Sequence, residues 1–136
     1  MKILIVDDQD IIRRSVTVNL EFLFPDAEFV ECRSGLESLE KVGNFKPDII
    51  FMDISMPGMS GMQATREILS EYPGQRIIAF SMNDNIEMVH IMLKAGASGY
   101  LLKTDTMDDF QKAVDEVSKG KTFISKNVVS ENTDEN

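Results

Sequence analysis

Four short apolar runs, each ending on a charged or hydroxyl residue, constrain the fold of this chain more than anything else in it. Ile3-Leu4-Ile5-Val6 stops at Asp7-Asp8, and Ile49-Ile50-Phe51-Met52 stops at Asp53. Ile77-Ile78-Ala79-Phe80 stops at Ser81, and Tyr100-Leu101-Leu102 stops at Lys103. Strands that are apolar throughout, without alternation, belong to parallel sheets covered by helices on both faces. The segments between them carry helical spacing, such as Ile11, Ile12, Val16, Leu20 and Leu23 in the stretch from Asp10 to about Phe24, which Pro25 ends.

The remaining punctuation completes the pattern. Ala27–Cys32 reads as the second strand; Ser34-Gly35-Leu36-Glu37 reads as a capping box opening the second helix, which Gly43 would close. The third strand is Asp48–Asp53, and a helix follows from Ser60 to about Tyr72 with Met62, Ile68 and Leu69 toward the core, before Pro73-Gly74. Arg76–Ser81 is strand four, Asn85 to Ala95 helix four with Gly96 as its stop, and Gly99–Leu102 strand five. Thr106-Met107-Asp108-Asp109 caps a last helix that runs to Lys119 and ends at Gly120. Five strand–helix units with short connections predict an α/β fold: one (βα)5 domain over residues 1–120, a doubly wound five-stranded parallel sheet of flavodoxin-like order. Residues 121–136 read as a linker-like tail, in which Ser125–Val129 could open one more helix and the polar, acidic Ser130–Asn136 is expected to fray.

Composition narrows the class. A chain of 136 residues fits one domain with a real core, and 43% hydrophobic with 27% charged residues is ordinary for a soluble globular protein. The single cysteine, Cys32, fits a reducing compartment and falls in a buried strand, where an inert core thiol is expected. No apolar run approaches membrane-spanning length, and Met1-Lys2 leads directly into a strand without a signal-peptide pattern, so a cytoplasmic location is expected. The net charge of −9, from 23 acids against 14 bases, repels nucleic acid and anionic membranes. Arg13-Arg14 is expected on a solvated helix face, not in a basic stripe.

In an open parallel sheet, ligands bind in the crevice outside the carboxyl ends of the strands. Asp7, Asp8 and Asp53 would bring three like charges there, an arrangement that needs a cation or a protonated acid. Hard oxygen ligands in a shallow site suit Mg²⁺ better than Ca²⁺. A zinc site has no ligand set, since His90 stands alone on a predicted helix. Helix capping offers another use for an acid near Asp10, but capping needs one acid, not a pair on the strand end. Asp53, ending the central strand before a loop, is a competent nucleophile for phosphoryl groups when a metal and the Lys103 ammonium stand beside it. Ser81 could donate its hydroxyl to a phosphoryl oxygen.

Val6-Asp7-Asp8, Asp53-Ile54-Ser55-Met56-Pro57-Gly58-Met59-Ser60-Gly61, Ser81, and Lys94-Ala95-Gly96-Ala97-Ser98-Gly99-Tyr100-Leu101-Leu102-Lys103 together resemble the receiver domain of two-component response regulators, over Met1 to about Gly120. Each motif is weak alone; in this order, on these strand ends, they are specific. The segment from Gly96 to Lys103 looks most like the NarL/LuxR-type subfamily. The resemblance implies that Asp53 is the phospho-acceptor. Asp8 would ligate Mg²⁺ directly, Asp7 through water, and Asp53 and the Ser55 backbone carbonyl would contribute further oxygens. Ser81 and Lys103 would receive the phosphoryl group, and Tyr100 would be the switch aromatic that turns inward when Ser81 moves. The other reading of Tyr100 is a half-buried strand tyrosine with its hydroxyl at the surface, and the two can hold in different states.

By the same resemblance the phosphoryl donor is a phosphohistidine on a sensor histidine kinase. The responding face is formed by helix four, strand five and helix five, with Ile86, Val89, His90 and Met92 among its residues. Ser55 and Asn83 stand at the positions that tune hydrolysis of the phosphorylated form; neither is a strong base, so no unusually fast loss is expected. Thr104 follows the lysine where many receivers have proline, which leaves the geometry of that loop open. Apolar residues on helices one, four and five could support a homodimer. Residues after Gly120 are too few and too acidic for a helix-turn-helix domain. This chain is therefore expected to be the receiver portion of a transcription regulator, reaching DNA only through a further domain, with a single-domain regulator working through protein contacts as the alternative. A haloacid dehalogenase-like phosphatase would use the same residue types, but its motif needs a second aspartate where Ser55 stands. A flavin-binding flavodoxin-like module would need a phosphate loop that Asp7-Asp8-Gln9-Asp10 would repel.

Overall fold

The strand runs pair in the order their composition demands, with the three most apolar at the centre. In a computed structural model that describes residues 1–129, the strands are β1 (Lys2–Val6), β2 (Glu28–Cys32), β3 (Ile49–Asp53), β4 (Arg76–Ser81), β5 (Gly99–Leu102) and β6 (Phe123–Ile124). They form one parallel sheet in the order β2-β1-β3-β4-β5-β6. The connecting helices are α1 (Asp10–Leu23), α2 (Gly35–Phe45), α3 (Gly61–Glu71), α4 (Ile86–Lys94) and α5 (Met107–Ser118).

Alternate residues along each strand face opposite sides of the sheet. Ile3, Ile5, Phe51, Ile78, Phe80 and Leu101 therefore pack against Val16 and Leu20 of α1 and against Phe110, Ala113, Val114 and Val117 of α5. Leu4, Val6, Ile50, Met52 and Ile77 face Val42 of α2 and Ala64 and Ile68 of α3, while Ala79, Tyr100 and Leu102 face Val89 and Met92 of α4. Each buried Val, Leu, Ile, Phe or Met among them contributes about 1.5–3 kcal/mol. Among the described residues, no helix is long and apolar enough to cross a membrane.

The sheet has six strands where five were expected. Phe123 and Ile124 add to the edge of β5, with Phe123 N donating to Ser98 O at 3.2 Å and Ser125 N to Tyr100 O at 2.8 Å. A two-residue strand has no periodicity to read. The helix considered over Ser125–Val129 is absent. That segment turns back, and Val129 bridges to Asn85 at the start of α4, donating to Asp84 O at 2.6 Å and accepting from Ile86 N at 3.0 Å. Ser130–Asn136 lies outside the described residues.

The caps explain where the helices begin. Thr106 and Asp109 form a reciprocal capping box on α5. On α2 the box is half made: the Ser34 hydroxyl accepts from Glu37 N, but Glu37 reaches the amide of Arg33 instead of Ser34. Gly43 does not close α2, which runs on to Phe45 and ends at Lys46 in the left-handed region (φ 53°). A Cβ on Gly43 would sit 3.0 Å from the Tyr72 hydroxyl, so this glycine serves the packing of α2 on the end of α3. Gly96 and Gly120, both at positive φ, do mark the ends of α4 and α5.

Candidate functional site

Register brings the strand ends level. Val6 pairs with Met52, Asp53 with Phe80, and Ser81 with Leu102, so the residues that follow each apolar run meet at one end of the sheet. Beneath them, Phe51 stacks on Phe110 (5.8 Å between ring centres) and meets Phe80 edge-on at 6.2 Å. Asp53 thus stands on an aromatic floor shared by β3, β4 and α5. The N-terminus of α3 presses on its backbone: Gly61 N donates to Ile54 O at 2.8 Å, and a Cβ at Gly61 would lie 2.0 Å from the Asp53 carbonyl oxygen.

The crevice above, about 440 Å³, is lined by Asp8, Gln9, Asp53, Ser55, Ser81, Met82, Asn83 and Lys103. Asp7 is wholly buried behind it, Asp53 and Ser81 are nearly so, and Asp8 is half-buried. Lys103 Nζ lies 3.1 Å from Asp7 Oδ2 and 3.1 Å from Asp53 Oδ1. It also sits 5.2 Å from the centre of the Phe80 ring, a favourable cation–π placement. Its backbone amide donates to Ser81 O at 2.9 Å, which ties the ends of β4 and β5 together. The loop left open by Thr104 is closed by Asp105, whose carboxylate accepts from Leu102 N at 2.9 Å; no peptide bond in it is cis.

The electrostatics are unbalanced. One ammonium faces two buried carboxylates, and Asp7, Asp8 and Asp53 each offer an oxygen within 4.8 Å of the others. Burial pushes the Asp53 carboxyl up to about 7; the charge of Asp7 adds to this and Lys103 only partly offsets it. Asp7 Oδ1 accepts from Gln9 N at 2.9 Å, but Asp7 Oδ2 makes no well-directed hydrogen bond despite its closeness to Lys103. A buried carboxylate oxygen without a hydrogen bond, inside an acidic cluster that opens to a crevice, fits a hard divalent cation.

Ser81 Oγ accepts from Asn83 N at 3.0 Å, and so shapes the turn after β4. Tyr100 is wholly buried and its hydroxyl donates to Asn83 O at 2.7 Å. Burial holds that phenol above its ordinary value. The reading of Tyr100 as a half-buried residue with a surface hydroxyl is therefore wrong for this conformation; Ala79, Val89 and Leu102 enclose the ring's side of the sheet. On α4, Val89 and Met92 belong to the core and not to the exposed face, Ile86 is partly buried, and Glu87, His90, Ile91 and Lys94 face solvent. Ile11, one of the apolar positions of the first helix, is 87% exposed.

Sequence reasoning missed Arg13, which is 5% exposed, not solvated. Its Nη1 donates to the Asp7 carbonyl at 2.8 Å, Nη2 to Asp10 at 2.7 Å and Nε to Glu31 on β2 at 2.7 Å. The signal was present: Arg13 shares the i, i+3, i+4, i+7 stripe of Val16, Thr17 and Leu20, all buried.

Residues 3–115 match the family model described as the response regulator receiver domain. The chain is 37% identical over 125 residues to the transcriptional regulatory protein DegU of Brevibacillus brevis, covering 91% of this chain and 52% of that protein. It is 32% identical over 131 residues to the response regulator GacA of Pseudomonas syringae pv. syringae (strain B728a), covering 96% of this chain and 61% of that one. The chain thus spans between about half and about three fifths of the length of these relatives. Among solved structures, a LuxR-family two-component response regulator from Aurantimonas sp. SI85-9A1 superposes with a TM-score of 0.88 at 29% identity, covering 93% of this chain and 91% of that one. Fold and sequence agree that the chain belongs to the response regulator receiver domain family.

Proposed function

We propose that the domain is a phosphorylation switch: Asp53 takes a phosphoryl group from a phosphohistidine on a sensor histidine kinase, and the change alters an output. The observation that carries this reading is Lys103 Nζ at 3.1 Å from both Asp7 and Asp53, beneath an open crevice in which Asp53 is the buried, reachable oxygen. An Asp53 oxygen forms a bond to phosphorus as the phosphorus–nitrogen bond of the donor breaks. The electron pair of the broken bond stays on the imidazole, which takes up a proton. Lys103, freed from Asp53 on that side, pairs with the phosphoryl oxygens, and the Ser81 hydroxyl donates to another. Asp7, Asp8, Asp53 and the Ser55 carbonyl would hold Mg²⁺, which supplies neutralisation of the charge on the transferring group. Catalysis here is alignment and charge neutralisation, so small acyl phosphates serve as donors too.

The product adds close to two negative charges at Asp53. Ser81 moves toward them, and the Asn83 carbonyl that holds the Tyr100 hydroxyl moves with it. The surface around α4, β5 and α5, where His90 and Ile91 are exposed, is the responding face. The exposed Ile11, Val18 and Phe22 of α1 and Ile91 of α4 leave apolar faces on which a homodimer would form. DegU is by name a transcriptional regulatory protein, which supports transcription as the output, through a DNA-binding domain outside this chain. The domain is a regulatory device in the cytoplasm and not a turnover enzyme. A haloacid dehalogenase-like phosphatase has no supporting observation, since Ser55 occupies the place of its general acid. Incubation with acetyl phosphate and Mg²⁺, followed by intact mass, tests the proposal. A single phosphoryl adduct, lost with EDTA and in Asp53→Asn, is expected; an adduct that survives in Asp53→Asn overturns it.

A further inference from the structure

We infer that Arg13 is a positioning residue for the metal site, acting through the backbone of the acidic loop and not through its carboxylates. The inference rests on the reading that Asp7, Asp8 and Asp53 hold Mg²⁺. One guanidinium closes the whole loop between β1 and α1. Nη1 binds the Asp7 carbonyl at 2.8 Å, and Nη2 binds Asp10 at 2.7 Å. Nε anchors this assembly to Glu31 of β2 at 2.7 Å.

The Asp7 carbonyl belongs to the rigid peptide plane that joins Asp7 to Asp8. Pinning that oxygen sets the plane from which the Asp8 side chain leaves the strand end. The amide of Asp7 is held as well, donating to Cys32 O at 3.1 Å, so the peptides on both sides of Asp7 are fixed. Arg13 carries a positive charge close to an acidic cluster yet does not neutralise it, because Asp10 and Glu31 take up its charge. The backbone that carries the ligand carboxylates is thus immobilised by a cation whose own carboxylate partners are Asp10 and Glu31. A lysine cannot reproduce this, since a single ammonium cannot span a carbonyl and two carboxylates on different elements. Partners that orient metal ligands typically change affinity by about 10–100-fold when removed.

The test is calorimetric titration of the purified chain with MgCl₂ at low temperature, with folding of every variant verified by circular dichroism. Arg13→Lys is expected to weaken Mg²⁺ binding by about tenfold or more. Arg14→Gln, which loses only the exposed contact to Glu31, is expected to stay within about twofold of the parent, as a change on the solvated rim should. A role confined to stability would lower the melting temperature and leave the Mg²⁺ affinity unchanged; that result in folded Arg13→Lys overturns the inference while leaving the site reading intact. If Arg13→Lys does not fold, Glu31→Gln carries the test, since it releases the anchor but keeps the guanidinium. A measurable loss of Mg²⁺ affinity supports the inference and parental affinity refutes it. Absence of Mg²⁺ binding by the unmodified chain overturns the site reading, and this inference with it.

Discussion

Replacing Asp53 by Asn should stabilise the metal-free protein, and the gain should depend on pH in a definite direction. Asp53 is buried beside Asp7, and its carboxyl is raised from 3.8 to about 7, by burial first and by the Asp7 charge second. A raised carboxyl binds its proton more tightly in the folded state than in the unfolded one. Stability therefore falls as pH rises from near 4 and levels off above about 7. At ~1.4 kcal/mol per pH unit, that interval sets a ceiling of about 4 kcal/mol. Solvent in the open crevice and adjustment of Lys103 reduce it, so a gain of about 1–3 kcal/mol is expected at pH 8. The amide side chain of Asp53→Asn carries no charge and leaves Lys103 paired with Asp7 alone. Urea denaturation of both proteins in EDTA, from pH 4 to 8, measures the difference. Near pH 4 the two should be nearly equal. An Asn variant less stable at pH 8, or a gain that does not grow with pH, would refute the argument that uncompensated charge is stored at this position.

Three further perturbations probe neighbouring links. Gly61→Ala forces a methyl group to within 2.0 Å of the Asp53 carbonyl oxygen, so α3 must shift; a loss of about 3 kcal/mol in thermal or urea unfolding and slower phosphorylation by acetyl phosphate are expected. Tyr100→Phe removes the buried donor to the Asn83 carbonyl and should lower stability by about 1 kcal/mol. In hydrogen exchange, the amides of 83–86 should open faster in that variant. Val129→Pro deletes the N–H that binds Asp84 O at 2.6 Å; exchange of the Ile86 amide, which donates to Val129 O, should accelerate while the β1 and β3 amides stay protected.

Much of the fold was legible because it is carried by burial, which writes itself into sequence as period. The uniform apolarity of Ile3–Val6, Ile49–Met52 and Ile77–Phe80 marks strands covered on both faces, and all lie at the sheet's centre. The site was legible for the same reason, since each polar residue stands where an apolar run stops. What escaped depends on partners distant in sequence. Phe123–Ile124 becomes a strand only because β5 offers an edge, and a two-residue pairing has no periodic trace. Gly43 resembled a helix stop until the Tyr72 hydroxyl supplied another reason for a missing side chain. Arg13 resembled a solvated charge, although it shares the buried stripe of α1, because Glu31 of β2, which makes its burial tolerable, is distant in sequence. The Tyr100 ring is a different case: the sequence allowed two placements, and the Asn83 carbonyl together with the apolar wall of Ala79, Val89 and Leu102 favours the inward one.

The central claim is that Asp53 itself becomes an acyl phosphate, and trapping that bond tests it most directly. The chain would be treated with acetyl phosphate and Mg²⁺, reduced with borohydride, digested and sequenced by mass spectrometry. Borohydride converts an aspartyl phosphate to homoserine and leaves free aspartate untouched. The account predicts homoserine at position 53, dependent on Mg²⁺, with Asp7 and Asp8 unchanged. Homoserine at Asp7 or Asp8 instead, or a phosphoryl group found on Ser81 or His90, would contradict it.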